Sequence, residues 1–129
     1  MTVTRIPPSP PITLMIVDDN EQMRRLIKSL VSDLVEEIYE CDDGRQAVAL
    51  YAEHRPDWVL MDLRMREMDG LEATSRITAA FPQARIVMVT DYDDSELRDA
   101  ARRAGAAHYI SKRRLVDLRL LLSPIPRDS

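Results

Sequence analysis

A chain of 129 residues with 22 acidic and 18 basic side chains carries a formal charge of −4. That balance speaks against a dedicated nucleic-acid surface, which is normally basic. The apolar share of 45% and charged share of 31% are ordinary for a soluble globular domain, and no stretch approaches the apolar length of a membrane helix. One cysteine, Cys41, excludes an internal disulfide, and no Cys/His cluster has zinc-ligand spacing. Cys41 reads as a small buried hydrophobe.

Residues 1–11, with Pro7, Pro8, Pro10 and Pro11, read as an extended, mobile leader without a signal-peptide core. From Ile12 to Val17 runs a short apolar segment bounded by prolines and by Asp18-Asp19-Asn20, the pattern of a buried strand. Met23, Leu26, Ile27, Leu30, Val31 and Leu34 then recur at helical spacing. Glu37 to Cys41 fits a shorter, more polar strand. Asp43 is placed to cap a helix that runs to about His54 and ends at Pro56. Trp58 to Met61 form a second strongly apolar strand, and the loop after it closes at Asp69-Gly70. Leu71, Ala73, Ile77 and Ala80 support a helix that stops before Pro82. Ile86 to Val89 make a fourth strand, and Leu97, Ala100, Ala101 and Ala104 a helix that Gly105 terminates. His108 to Ser111 give the last strand and Leu115, Leu118, Leu121 and Leu122 a short final helix. Residues 123–129 read as an unstructured tail. Five strands alternating with five helices predict one doubly wound α/β domain of flavodoxin-like type over residues 12–122. Its five-stranded parallel sheet takes the order 2-1-3-4-5.

The strands stop at polar residues: the first at Asp18-Asp19, the third at Asp62, the fourth at Thr90, the fifth at Ser111-Lys112. In an open parallel sheet these ends share one edge, the edge where ligands bind. Three carboxylates, a hydroxyl and an ammonium therefore converge. Crowded carboxylates raise one another's pKa values, and a hard divalent ion such as Mg²⁺ relieves the repulsion. A carboxylate, a metal, a cation and a hydroxyl suit phosphoryl transfer onto an aspartate. Any one of these residues alone is better read as a helix cap or a solvated loop residue; the combination carries the argument.

The segments Ile16-Val17-Asp18-Asp19-Asn20, Leu60-Met61-Asp62-Leu63-Arg64-Met65, Met68-Asp69-Gly70, Ile86-Val87-Met88-Val89-Thr90, Gly105-Ala106 and Tyr109-Ile110-Ser111-Lys112 together resemble the receiver domains of response regulators in two-component signalling, whose fold is that of the chemotaxis regulators. The resemblance implies a phosphoprotein switched by an aspartyl phosphate on Asp62. Mg²⁺ would be held by Asp19, Asp62 and the backbone carbonyl of Arg64, with Asp18 acting through water. It further implies that Lys112 pairs with the phosphoryl group, that Thr90 moves toward it, and that Tyr109 turns inward behind Thr90. Such a protein is not an enzyme in the ordinary sense: it catalyses only its own phosphorylation and dephosphorylation.

Implied partners are a histidine kinase or phosphotransfer protein, docking near the helix after Asn20. Beyond these stand an output partner or a DNA-binding output domain outside this chain, and a homodimer through the face around the fourth and fifth helices. Direct nucleic-acid binding and membrane association are not implied, and the cytoplasm is the expected compartment.

Three positions depart from the family's habit: Arg66 where proline is usual, Arg113 after Lys112, and Asp91 after Thr90. Asp91 and Arg66 are the hints for an alternative, an interaction module with a receiver fold that no longer switches. A haloacid-dehalogenase-type hydrolase is disfavoured, because it needs a second aspartate two residues after its nucleophile and Asp18 is followed by Asp19 and Asn20. His54 and His108 read as surface or core residues and the Met65/Met68 pair as loop packing. Arg102, Arg103, Arg113 and Arg114 read as a solvated basic surface, with partner docking as the second reading.

Overall fold

The computed structural model describes residues 12–65, 68–91 and 94–123. The leader 1–11, Arg66 and the tail from residue 124 therefore lie outside the described residues. Strands β1 (Thr13–Val17), β2 (Glu37–Cys41), β3 (Trp58–Asp62), β4 (Ile86–Thr90) and β5 (His108–Ser111) alternate with helices α1 (Glu21–Val31), α2 (Gly44–His54), α3 (Gly70–Ala80), α4 (Ser95–Ala104) and α5 (Asp117–Leu122). All strand pairs are parallel, in the order β2-β1-β3-β4-β5. This is the topology expected from the alternation of apolar runs and helical stripes.

The strands are apolar on both faces because both faces are covered. Met15 and Val17 of β1, Val59 and Met61 of β3, and Ile86 and Met88 of β4 point to one side. There they meet Ala47 and Tyr51 of α2, Ala73 and Ile77 of α3, and Ala101 of α4. Their alternate neighbours Leu14, Ile16, Leu60, Val87 and Val89 point to the other side and meet Ile27 and Val31 of α1 and Leu118 and Leu122 of α5. Period-two alternation thus feeds two separate cores from each central strand. Each large side chain so buried contributes about 1.5–3 kcal/mol.

Helix starts follow local chemistry. Asn20, Asp43, Asp69 and Asp94 each stand in extended backbone and accept from backbone N–H groups of the following turn. Gly105, at φ 109°, closes α4 as expected, and Thr78 of α3 fills the space where a side chain would stand. Three boundaries differ in detail. The first helix is α only to Val31 and tightens to a 3₁₀ turn over Ser32–Leu34. The end of α2 is made by Arg55 itself, in left-handed conformation at φ 46°, one residue before Pro56. The last helix is shorter than its leucine stripe, since Lys112–Arg114 form a 3₁₀ turn before α5 begins. Ser123 still belongs to that helix end: its N–H donates to the Arg119 carbonyl at 3.0 Å.

Candidate functional site

Register brings the strand ends together. Val17 pairs with Met61, so Asp18 emerges beside Asp62. Asp62 pairs with Val89 and Thr90 with Ser111, so Thr90 and Lys112 emerge next along the same edge. The structure thereby gathers Asp18, Asp62, Thr90 and Lys112 at the carboxyl edge of β1, β3, β4 and β5. Asp18, Asp62 and Thr90 are buried, whereas Asp19 is exposed.

At the centre stands Lys112. Its Nζ lies 3.0 Å from Asp18 Oδ2 and 3.1 Å from Asp62 Oδ1, with only a tenth of its side chain accessible. Asp18 is held further by the Asn20 N–H, which donates to Oδ1 at 2.8 Å. One carboxylate oxygen from each of Asp18, Asp19 and Asp62 lies within 4.8 Å of the others. The group is all oxygen, with no His or Cys donor, and two of its members are buried. That donor set fits a hard divalent cation of the Mg²⁺ kind.

The electrostatics express the same crowding. Burial, chiefly, and then the Asp18 carboxylate push the Asp62 acid up to about 6, against the pull of Lys112. Burial on its own would lower the Lys112 ammonium, but Asp62 and Asp18 outweigh it and hold its pKa above the ordinary value. The pocket therefore binds its one ammonium firmly and still carries more carboxylate than that ammonium neutralises.

Gly70 matters to this geometry. A Cβ there would collide with the backbone carbonyl of Asp62, and the Gly70 N–H donates to the Leu63 carbonyl at 2.8 Å. The first turn of α3 can thus lie directly against the strand that carries Asp62. Met68 is buried and Met65 packs partly buried against the same core, as expected of loop packing.

Other expected residues fall into place differently. Ser111, which ends β5 before Lys112, is used locally: its Oγ accepts the Arg113 N–H at 3.1 Å and caps the 3₁₀ turn. Tyr109 is half-buried on the edge strand β5, its ring 4.9 Å from the Arg98 guanidinium carbon. Arg64 and Asp91 are exposed at the rim. Cys41 is a buried thiol whose pKa is pushed up to about 12, chiefly by burial, which fits the reading as an inert hydrophobe. His54 stacks on Tyr39 at 4.1 Å and His108 stands 6.0 Å from the Trp58 ring, both away from the pocket. Arg102 pairs with Asp99 and Arg114 with Asp117 on the open surface. Sequence reasoning missed Arg24, whose Nη1 donates to the Asp18 carbonyl at 2.6 Å and whose Nε pairs with Glu40 at 3.0 Å. The residue stood in plain view on the polar side of the first helix, but nothing local announced which strand end it would meet.

Fold and pocket together define a doubly wound α/β domain of the chemotaxis-regulator type. The family model of the response regulator receiver domain matches residues 14–122, and the chain belongs to that family. It is 42% identical to the chemotaxis protein CheY of Bacillus subtilis over 100 residues, 77% of this chain and 83% of that protein. With the response regulator protein VraR of Staphylococcus aureus it shares 38% identity over 103 residues, 78% of this chain and 49% of that one. A crystal structure of a CheX–CheY–BeF₃–Mg²⁺ complex from Borrelia burgdorferi contains a similar chain, with TM-score 0.79 and 28% identity, covering 86% of this chain and 87% of that chain. Receiver domains are signalling switches of two-component systems rather than classical enzymes, and phosphoaspartate and Mg²⁺ are general features of the family. Among the described residues no helix is long and apolar enough to cross a membrane.

Proposed function

We propose that residues 12–122 act as a switch that takes a phosphoryl group onto Asp62 from a histidine kinase or phosphotransfer protein. The observation that carries this reading is the placement of Lys112 within ion-pair distance of both Asp18 and Asp62, beside a third carboxylate from Asp19. A carboxylate oxygen of Asp62 attacks the phosphorus, the P–O bond forms, and the P–N bond to the donor imidazole breaks with the ring as leaving group. Asp19, Asp62 and the Arg64 carbonyl would hold Mg²⁺, with Asp18 acting through water. When bound, such a cation would neutralise charge on the transferring oxygens. Lys112, already 3.1 Å from an Asp62 oxygen, needs little displacement to pair with the phosphoryl group that replaces that charge.

Thr90, buried at the end of β4, offers the hydroxyl nearest in the topology to the incoming oxygens. Its motion toward them frees space behind it, and Tyr109 on the neighbouring strand turns inward. A local change of charge thus becomes a new surface around α4, β5 and α5. That surface would meet an output partner, an attached DNA-binding domain or a second copy of the chain, in the cytoplasm. The pocket's assembly favours switching over the non-switching interaction module: Asp91, the described hint for the latter, points from an exposed position at the rim.

The test is intact-mass spectrometry after incubation with acetyl phosphate. Wild type with Mg²⁺ is expected to gain one phosphoryl mass, and neither wild type without Mg²⁺ nor Asp62→Asn should gain it. Equal incorporation in Asp62→Asn would remove Asp62 as the acceptor.

A further inference from the structure

The acidic corner between β1 and α1 has a brace that the proposed chemistry does not use. Side chains of a helix lean toward its N-terminus, so a long residue one turn in can reach back over the entry loop. Arg24 does so. Its Nη1 donates to the Asp18 carbonyl at 2.6 Å and its Nε to Glu40 Oε1 at 3.0 Å. Lys28 holds the other Glu40 oxygen at 2.8 Å. The Arg24 side chain is 17% accessible, and its bond to the Asp18 carbonyl is partly buried while that to Glu40 is open to solvent. The Asp18 N–H donates to the Cys41 carbonyl at 3.1 Å, so the Asp18 peptide is gripped from α1 and β2 together.

We infer that Arg24 is a positioning residue for the divalent cation. Through the Asp18 carbonyl it fixes the short stretch of backbone from which both the Asp18 and Asp19 carboxylates project. The inference rests on the acidic pocket being the cation site. Positioning and simple charge predict opposite signs here. A guanidinium near an acidic site repels a cation, so its removal should tighten binding if charge were all that mattered. If the brace orients the carboxylates, its removal weakens binding, and partners behind metal ligands are typically worth about 10–100-fold in affinity.

The experiment measures Mn²⁺ binding by electron paramagnetic resonance on wild type, Arg24→Ala and Arg24→Gln, with folding checked by circular dichroism. The two neutral variants guard against one failing to fold. The expected result is about tenfold weaker Mn²⁺ binding in the folded variants, the lower end of that range. In phosphorylation by acetyl phosphate, the Mg²⁺ concentration for half-maximal rate rises by the same factor while the rate at saturating Mg²⁺ stays close to wild type. Arg24→Lys keeps the charge but lacks the planar fork that serves two acceptors at once, so it recovers only part of the affinity. Unchanged or tighter Mn²⁺ binding in a folded neutral variant overturns the inference and leaves the cation site standing. A wild type that binds no Mn²⁺ overturns both.

Discussion

The two edges of the sheet both carry an aspartate against a strand, and they treat it in opposite ways. At the amino edge, Asp57 Oδ2 accepts from the Thr13 N–H at 2.8 Å and from the Thr13 hydroxyl at 3.2 Å, while the Asp57 N–H donates back to Thr13 Oγ1 at 3.0 Å. Arg85 closes the arrangement, its Nε donating to the Asp57 carbonyl at 3.2 Å and its guanidinium lying over the Trp58 ring. Neutral donors from the chain itself satisfy this carboxylate. At the carboxyl edge, Asp18 and Asp62 share one ammonium, and burial holds Asp62 well above the ordinary carboxylate range. One edge is a clasp between β1 and β3. The other holds more carboxylate than its one ammonium neutralises, the arrangement from which the proposed function is argued.

Lys112→Ala should produce the largest effect, because it leaves two buried carboxylates without their counter-ion. Loss of one partner of a buried pair costs about 3 kcal/mol or more, and chemical denaturation of the metal-free protein should read that loss. Saturating Mg²⁺ should return part of it, while the conformational response to phosphorylation stays poor. A variant as stable as wild type without metal would mean that the pocket does not depend on its ammonium.

Asp62→Asn should do the reverse and stabilise the metal-free protein. The folded pKa of about 6 lies above the unfolded value of 3.8. The neutral acid is therefore favoured in the fold; its contribution is fully present below the unfolded value and is lost as pH rises through about 6. At pH 7 the ionised wild type should be less stable than Asp62→Asn by about 2–3 kcal/mol, and the gap should close toward pH 4. Denaturation curves at both pH values decide it, a constant gap being the contrary outcome.

Asp57→Ala sharpens the contrast from the other side. It removes hydrogen bonds at the amino edge, so stability should fall by about 2 kcal/mol, while phosphoryl uptake at Asp62 proceeds as in wild type. Slowed uptake would show that the two edges are coupled. The smallest effect belongs to Arg102→Ala on the outer face of α4. Its pair with Asp99 is open to solvent, and thermal melting should not register its loss.

Much of this was legible in the residues because local and global signals agree. Apolar runs that end at Asp18, Asp62 and Thr90 name their own strand ends, and Asp43, Asp69 and Gly105 mark helix ends by their conformational chemistry. The parallel order then brings the strand ends to one edge. What escaped were contacts that depend on three-dimensional reach. Lys112 binds Asp18 as well as Asp62, across 94 positions of chain, because β1 lies next to β3. The Arg24 brace needs β2 beside α1, and the polar pattern of a helix does not say which polar residue turns back over its own N-terminus.

The central claim is that the reserved charge at the carboxyl edge operates a switch. The most direct test is amide NMR of wild type titrated with beryllofluoride in the presence of Mg²⁺. Shifts should appear at Asp18, Asp62 and Lys112 and extend through Thr90 to Tyr109 and α4, with the Thr13–Asp57 clasp unmoved. A spectrum that stays unchanged at saturating beryllofluoride and Mg²⁺, from a protein that remains folded, would contradict it.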